Sequence, residues 1–203
     1  LGANRIVVIP GANDLVTSNH VAASLCALSD VAVVLAQGEV PMDAIEAAMV
    51  TGRELGAITI LNPAPVRDYP TGLLSLVDYL VPNEHEAAHL TGLPTSTTVD
   101  ASQAARLLVD RGAGHVILTR GSRGIVWVTH TGSGTSGVFP VVPIDTVAAG
   151  DAFCGGFAAA LAEGHTMAEA LRWASATGAL ATTVEGAVPS LPLREAVEIL
   201  LAT

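Results

Sequence analysis

Short runs of apolar, β-branched residues alternate along the chain with segments whose apolar positions recur at helical spacing. The runs at Arg5–Ile9, Val31–Ala36, Ala57–Leu61, Val77–Val81 and His115–Thr119 are almost continuously apolar. That is the pattern of parallel strands buried on both faces. Between them, Pro41 opens a helix whose Met42, Ile45, Met49 and Leu55 form one stripe before Gly56. Glu84–Thr91 reads as a short helix stopped by Gly92, and Asp100 as the N-cap of Ala101–Arg111, stopped by Gly112. This alternation predicts an α/β fold: a doubly wound, mostly parallel sheet with helices on both faces. Beyond Gly121 the pattern changes. Gly124–Thr129 and Gly137–Val142 read as a hairpin around a Gly/Ser loop, followed by helices near Ala149–Glu163, Met167–Val184 and Leu193–Leu200. No repeat or linker interrupts the chain, so residues 1–203 are expected to form one domain.

Half of the 203 residues are apolar but only 3% are aromatic, so the core is built mainly of Ala, Val and Leu. The net charge of −10 argues against a nucleic-acid partner and offers no long-range pull on an anion. A phosphate-bearing ligand would need local positive potential from a helix end, a metal ion, or Arg120 and Arg123. No apolar run has the length of a membrane span and no signal peptide is recognisable, so a cytoplasmic protein without a membrane partner is expected. Cys26 and Cys154 form no CxxC and are expected to be buried free thiols. The chain begins LGANRIVVIPGAN and enters a strand pattern at once, which reads as a start inside a larger protein.

The stretch PIDTVAAGDAFCGGF at 143–157 carries the chemistry. Asp151 follows the small residues Ala148, Ala149 and Gly150 and precedes a helical segment. A carboxylate is thereby set beside the unpaired N–H groups of a helix N-terminus, where donors and dipole favour an anion. A base beside an anion cradle suggests phosphoryl transfer to a hydroxyl.

Two other motifs do not develop. His85-Glu86-Ala87-Ala88-His89 matches H-E-x-x-H, but no third metal ligand follows between Leu90 and Val99, so two surface histidines are expected. Gly132–Gly137 matches G-x-G-x-x-G, but an apolar strand pattern follows where a dinucleotide site needs a helix. Four other segments follow successive strands: Gln37–Glu39, Val81–Glu86, Thr119–Gly124 and Asp145–Asp151. Singly they read as a loop charge, a cap or a turn. In parallel-strand order they converge at the C-terminal sheet edge, where ligands bind.

In these segments, together with Ile60–Pro65, Leu90–Gly92 and Gly186–Pro192, the chain resembles the ribokinase (PfkB) family of carbohydrate kinases over its whole length. The resemblance implies ATP-dependent phosphorylation of a sugar primary hydroxyl, with D-ribose at O5 the first expectation and another pentose or a nucleoside the alternative. It implies Asp151 as base and Ala149, Gly150 and Asp151 N–H groups as anion hole. Glu39 would contact the sugar. Asn83, Glu86, Thr119, Arg120, Gly121, Ser122, Arg123, Gly124 and Ser175 would serve ATP and Mg²⁺. Asp145, the carbonyls of Val147, Ala181, Val184 and Gly186, and the Ser190 hydroxyl would hold K⁺. Arg120 departs from the family, which has an aliphatic residue there. The family's N-terminal third, with its lid, dimer surface and early sugar motifs, has no counterpart here. The ATP half of a site is therefore expected without most of the sugar half, and a homodimer only for the full-length protein. A nucleotide-binding fragment without catalysis is the alternative.

Overall fold

The structure, a computed structural model, describes residues 9–203. The strand expected at Arg5–Ile9 lies outside the described residues in all but Ile9. Among the described residues six strands form one sheet: β1 (Val33–Gln37), β2 (Ile58–Asn62), β3 (Tyr79–Leu80), β4 (His115–Thr119), β5 (Ile125–Thr129) and β6 (Ser133–Ser136). Their spatial order is their sequence order. β1 to β4 are parallel, while β5 and β6 add on antiparallel. The helices are α1 (Ser18–Cys26), α2 (Met42–Glu54), α3 (Thr71–Leu74), α4 (Glu84–Thr91), α5 (Thr98–Asp110), α6 (Ala149–Ala162), α7 (Met167–Ala181) and α8 (Arg194–Leu201).

The near-continuous apolar strands have the expected consequence: neighbouring residues feed opposite layers. Leu61, Leu80, Val116, Leu118 and Val126 enter one core with Ile45 and Met49 of α2 and Leu108 of α5. Ile60, Ile117 and Ile125 enter the other, with Phe153 and Phe157 of α6 and Leu171 of α7. The α/β sheet with helices on both faces is thus the observed architecture. In the second core Tyr79 stacks on His115 at 4.6 Å and meets Phe157 edge-on at 5.1 Å, which ties the middle strands to α6. α6 and α7 approach closely because Gly156 has no side chain; a Cβ there would stand 2.5 Å from Thr177 Oγ1.

Three local expectations change. The second arm of the hairpin is Ser133–Ser136, inside the Gly/Ser segment, and Gly137–Val142 is irregular. Thr129 N–H donates to Gly132 O at 2.8 Å and closes the turn. Gly134 belongs in this strand because a Cβ would meet the Trp127 ring at 2.6 Å. The cap of α5 is Thr97; Asp100 is its reciprocal partner one turn in, a capping box. Finally, Cys26 is exposed whereas Cys154 is buried. Cys26 ends α1, a helix with no buried residue.

Candidate active site

The carboxyl ends of the parallel strands present a polar row. Gln37 and Asn62 are register partners at the ends of β1 and β2. Asn62 Nδ2 donates to Val81 O at 2.8 Å, and Asn83 bridges to Thr119. The N-terminus of α6 faces this row. Between them lies a cleft of about 180 Å³, with Asn62, Asn83, Glu86, Thr119, Gly150 and Asp151 among its walls.

Ala148 starts α6 in the left-handed region, at φ 60°, and supplies no side-chain cap. It turns the chain so that the first N–H groups face outward. Ala149 N–H, expected in the anion hole, donates to Thr146 O at 3.3 Å, a long turn bond. No hydrogen bond reaches the N–H groups of Gly150 or Asp151 among the described residues. Those two donors therefore remain, at the positive end of a 14-residue helix. The exposed Asp151 carboxylate stands beside them and accepts from Gln37 Nε2 at 2.5 Å.

Asn83 and Glu86 form the capping box of α4. Asn83 N–H donates to Glu86 Oε2 at 2.7 Å, Asn83 Nδ2 to Oε1 at 2.6 Å, and Glu86 N–H to Asn83 Oδ1 at 2.9 Å. The cap does not exclude a ligand role, because both residues also line the cleft. Burial pushes the Glu86 carboxyl above the ordinary glutamate range, against the Asn83 backbone N–H and the nearby His85. A raised folded value means that the folded protein holds this proton more tightly than the unfolded chain. The stabilisation is present below the ordinary glutamate pKa and is lost as pH rises through the raised value. Across the acid range the unfolding midpoint of the parent should therefore fall relative to that of Glu86→Gln as pH rises, whatever slope the down-shifted carboxylates such as Asp145 give both proteins. Cys154 also lines the cleft. Burial, with Asp151 and Glu86 nearby, pushes its thiol up to about 12, so it stays protonated and is no nucleophile.

The 119–124 turn is differently wired from the expectation. Arg120 is buried, and its guanidinium donates to Glu84 Oε1 at 3.2 Å, Thr98 Oγ1 at 2.9 Å and Ser96 O at 3.1 Å. Arg123 reaches the same Glu84 at 2.5 Å and Ser96 O at 2.6 Å. Both guanidinium groups are held by the one Glu84 carboxylate, so the clamp keeps a net charge of about +1 on the half-exposed Arg123 side. Gly121, Ser122 and Arg123 make a single 3-10 turn, and Gly124, at φ 82°, packs its Cα against the backbone of Ser136 and Gly137. Gly137 borders a second hollow, about 200 Å³, with Phe139, Arg172 and Ser175. The Ser175 hydroxyl is buried there without a hydrogen-bond partner, as an atom kept for a ligand would be.

Asp145 braces the chain leading into α6. Its Oδ2 accepts from Gly186 N–H at 2.9 Å and its Oδ1 from Val147 N–H at 3.1 Å. These bonds, Gly186 first, hold its carboxyl below the usual aspartate range. No hydrogen bond ends on the carbonyls of Val147, Ala181, Val184 or Gly186 among the described residues. That oxygen-only set fits a hard monovalent cation. The Ser190 hydroxyl donates to Ala187 O at 2.7 Å, which is a turn bond. Glu39 is exposed and is not among the cleft walls. His89, of the H-E-x-x-H text, pairs with Asp68 at 3.1 Å, on the outside of α4. Asn62 and Gln37 were given no role by the sequence. The signal was their place as last polar residues of apolar strands.

A family model described as pfkB family carbohydrate kinase matches residues 2–194. The chain belongs to this family of carbohydrate kinases. Among its relatives, the ribokinase of Haemophilus influenzae is 38% identical over 95% of this chain and 63% of its own. The bifunctional ribokinase/ribose-5-phosphate isomerase A of Fructilactobacillus sanfranciscensis is 38% identical over 97% of this chain and 36% of its own. The Arabidopsis thaliana ribokinase complexed with ribose and ATP superposes with a TM-score of 0.88 at 31% identity. That match covers 100% of this chain and 66% of the Arabidopsis chain. The chain thus spans less than two thirds of the length of these pfkB relatives.

Proposed function

We propose that residues 1–203 are one domain that carries the ATP-binding and phosphoryl-transfer parts of a sugar kinase, with D-ribose as first substrate and ribose 5-phosphate as product. The observation that carries this reading is Asp151, a carboxylate beside the unpaired N–H groups of Gly150 and itself, opening into the cleft with Asn83 and Glu86. The sugar O5 attacks the γ-phosphorus of ATP and forms the new O–P bond. The bond from that phosphorus to the bridging oxygen breaks, ADP leaves, and the hydroxyl proton passes to Asp151. The Gly150 and Asp151 N–H groups meet the charge on the transferring group, which is the main task in phosphoryl transfer. The base of ATP lies toward the second hollow, where the orphan Ser175 hydroxyl supports a contact. Asn83 and Glu86 would hold the Mg²⁺–phosphate end through solvent, and the ion would neutralise phosphate charge. The open carbonyls around Asp145 would hold K⁺ and stiffen the approach to α6. A cytoplasmic setting, where ATP is plentiful, belongs to this proposal.

Titration with ATP, followed by sugar-dependent ADP release, tests the reading. ATP binding with release in D-ribose above other pentoses and nucleosides is expected. Binding without release in any sugar would leave a nucleotide-binding unit, a result that the exposed Glu39 and the shorter span would explain. Absence of ATP binding would sink both readings.

A further inference from the structure

Gln37 ends β1, and its side chain crosses to the first turn of α6, 114 positions away in sequence. The turn that follows it is tied to the next loop by hydrogen bonds. Gly38 N–H donates to Ala64 O at 2.7 Å, and Arg67 Nη1 donates to Gly38 O at 2.8 Å and Val40 O at 3.1 Å. A Cβ on Gly38 would run into the Tyr69 hydroxyl and the Ala64 carbonyl, so only glycine fits this turn. We infer that Gln37 is a positioning residue for Asp151: its amide occupies Oδ1 and leaves Oδ2 to meet the substrate hydroxyl. The inference rests on the reading of Asp151 as base. A carboxylate on an exposed first turn otherwise rotates freely about χ2, and a proton acceptor must be held within hydrogen-bond reach of its donor. A side chain anchored on the sheet and bonded to the acid couples the two layers at the reacting atoms.

Two substitutions in the intact protein test this: Gln37→Met, similar in size without the donor, and Gln37→Glu, which sets acceptor against acceptor. Both should lower kcat about 10- to 100-fold, the scale of a slightly misplaced catalytic group. KM for ATP, ATP affinity and the unfolding midpoint should stay within twofold. An unchanged kcat in either variant overturns the inference. So does a loss confined to the sugar KM, which would make Gln37 a substrate ligand instead. Asp151→Asn measured alongside separates the levels. If it is inactive while the Gln37 variants keep full kcat, only the positioning role fails; if it is active, the functional reading fails and takes this inference with it.

Discussion

Asp151→Asn in the intact protein should lower kcat about 1,000-fold, within the range of a lost general base, while ATP should still bind, if the proposed role of Asp151 holds. The replacement keeps the size and one acceptor oxygen, so Gln37 can still donate to it, but an amide cannot take up the hydroxyl proton. Folding should change little, because the side chain is exposed. The folding cost is bounded by losing one charge near a helix N-terminus, about 0.3–1 kcal/mol. Pre-steady-state ADP formation together with equilibrium ATP binding gives the two numbers that matter. A kcat within tenfold of the parent removes Asp151 from the chemistry.

The second large effect falls on stability. Glu84→Ala should cost about 3 kcal/mol, the lower end for breaking a buried ion pair. The Arg120 side chain is only 5% exposed and would lose its carboxylate partner. In a chain of this size that is a fall in Tm of roughly 6–12 °C. Arg120→Met should cost much less, about 1 kcal/mol or below, although it deletes more hydrogen bonds. The asymmetry follows from Arg123, which already bonds both Glu84 and Ser96 O. Removing Arg120 leaves those acceptors satisfied, whereas removing Glu84 strands a cation. Denaturant unfolding of the two variants checks it. Equal losses would mean that the arginine's contacts, rather than its need for a counter-charge, set the stability.

The elements that were legible from the sequence have one thing in common: their apolar residues repeat at the period of a helix or run unbroken through a buried strand. β1, β2, β4, α2, α6 and α7 follow this rule. α1 does not, since none of its nine residues is fully buried and only Val21 and Leu25 pack partly against the core. β6 escapes because serine and glycine have little strand propensity, and Gly134 is chosen by the Trp127 ring, a contact absent from local text. The site divides the same way. Asp151 with its small neighbours is a local pattern. The Gln37–Asp151 bond and the clamp of Arg120 and Arg123 on Glu84 join residues 36 to 114 positions apart. No spacing rule reaches that far, so the sharing of Glu84 by Arg120 and Arg123 is invisible in the sequence.

The monotonic order of the strands has a bearing on how the molecule is made. Each strand from β2 to β6 pairs with the one synthesised just before it, so the sheet can grow in step with the emerging chain and never waits for a distant partner. Its second face stays bare until α6 and α7 leave the ribosome, and Asp151 arrives with them. The N-terminus of α6 is thus among the last of the described features to form, and a chain stalled before it would present an apolar sheet face without its second helical layer.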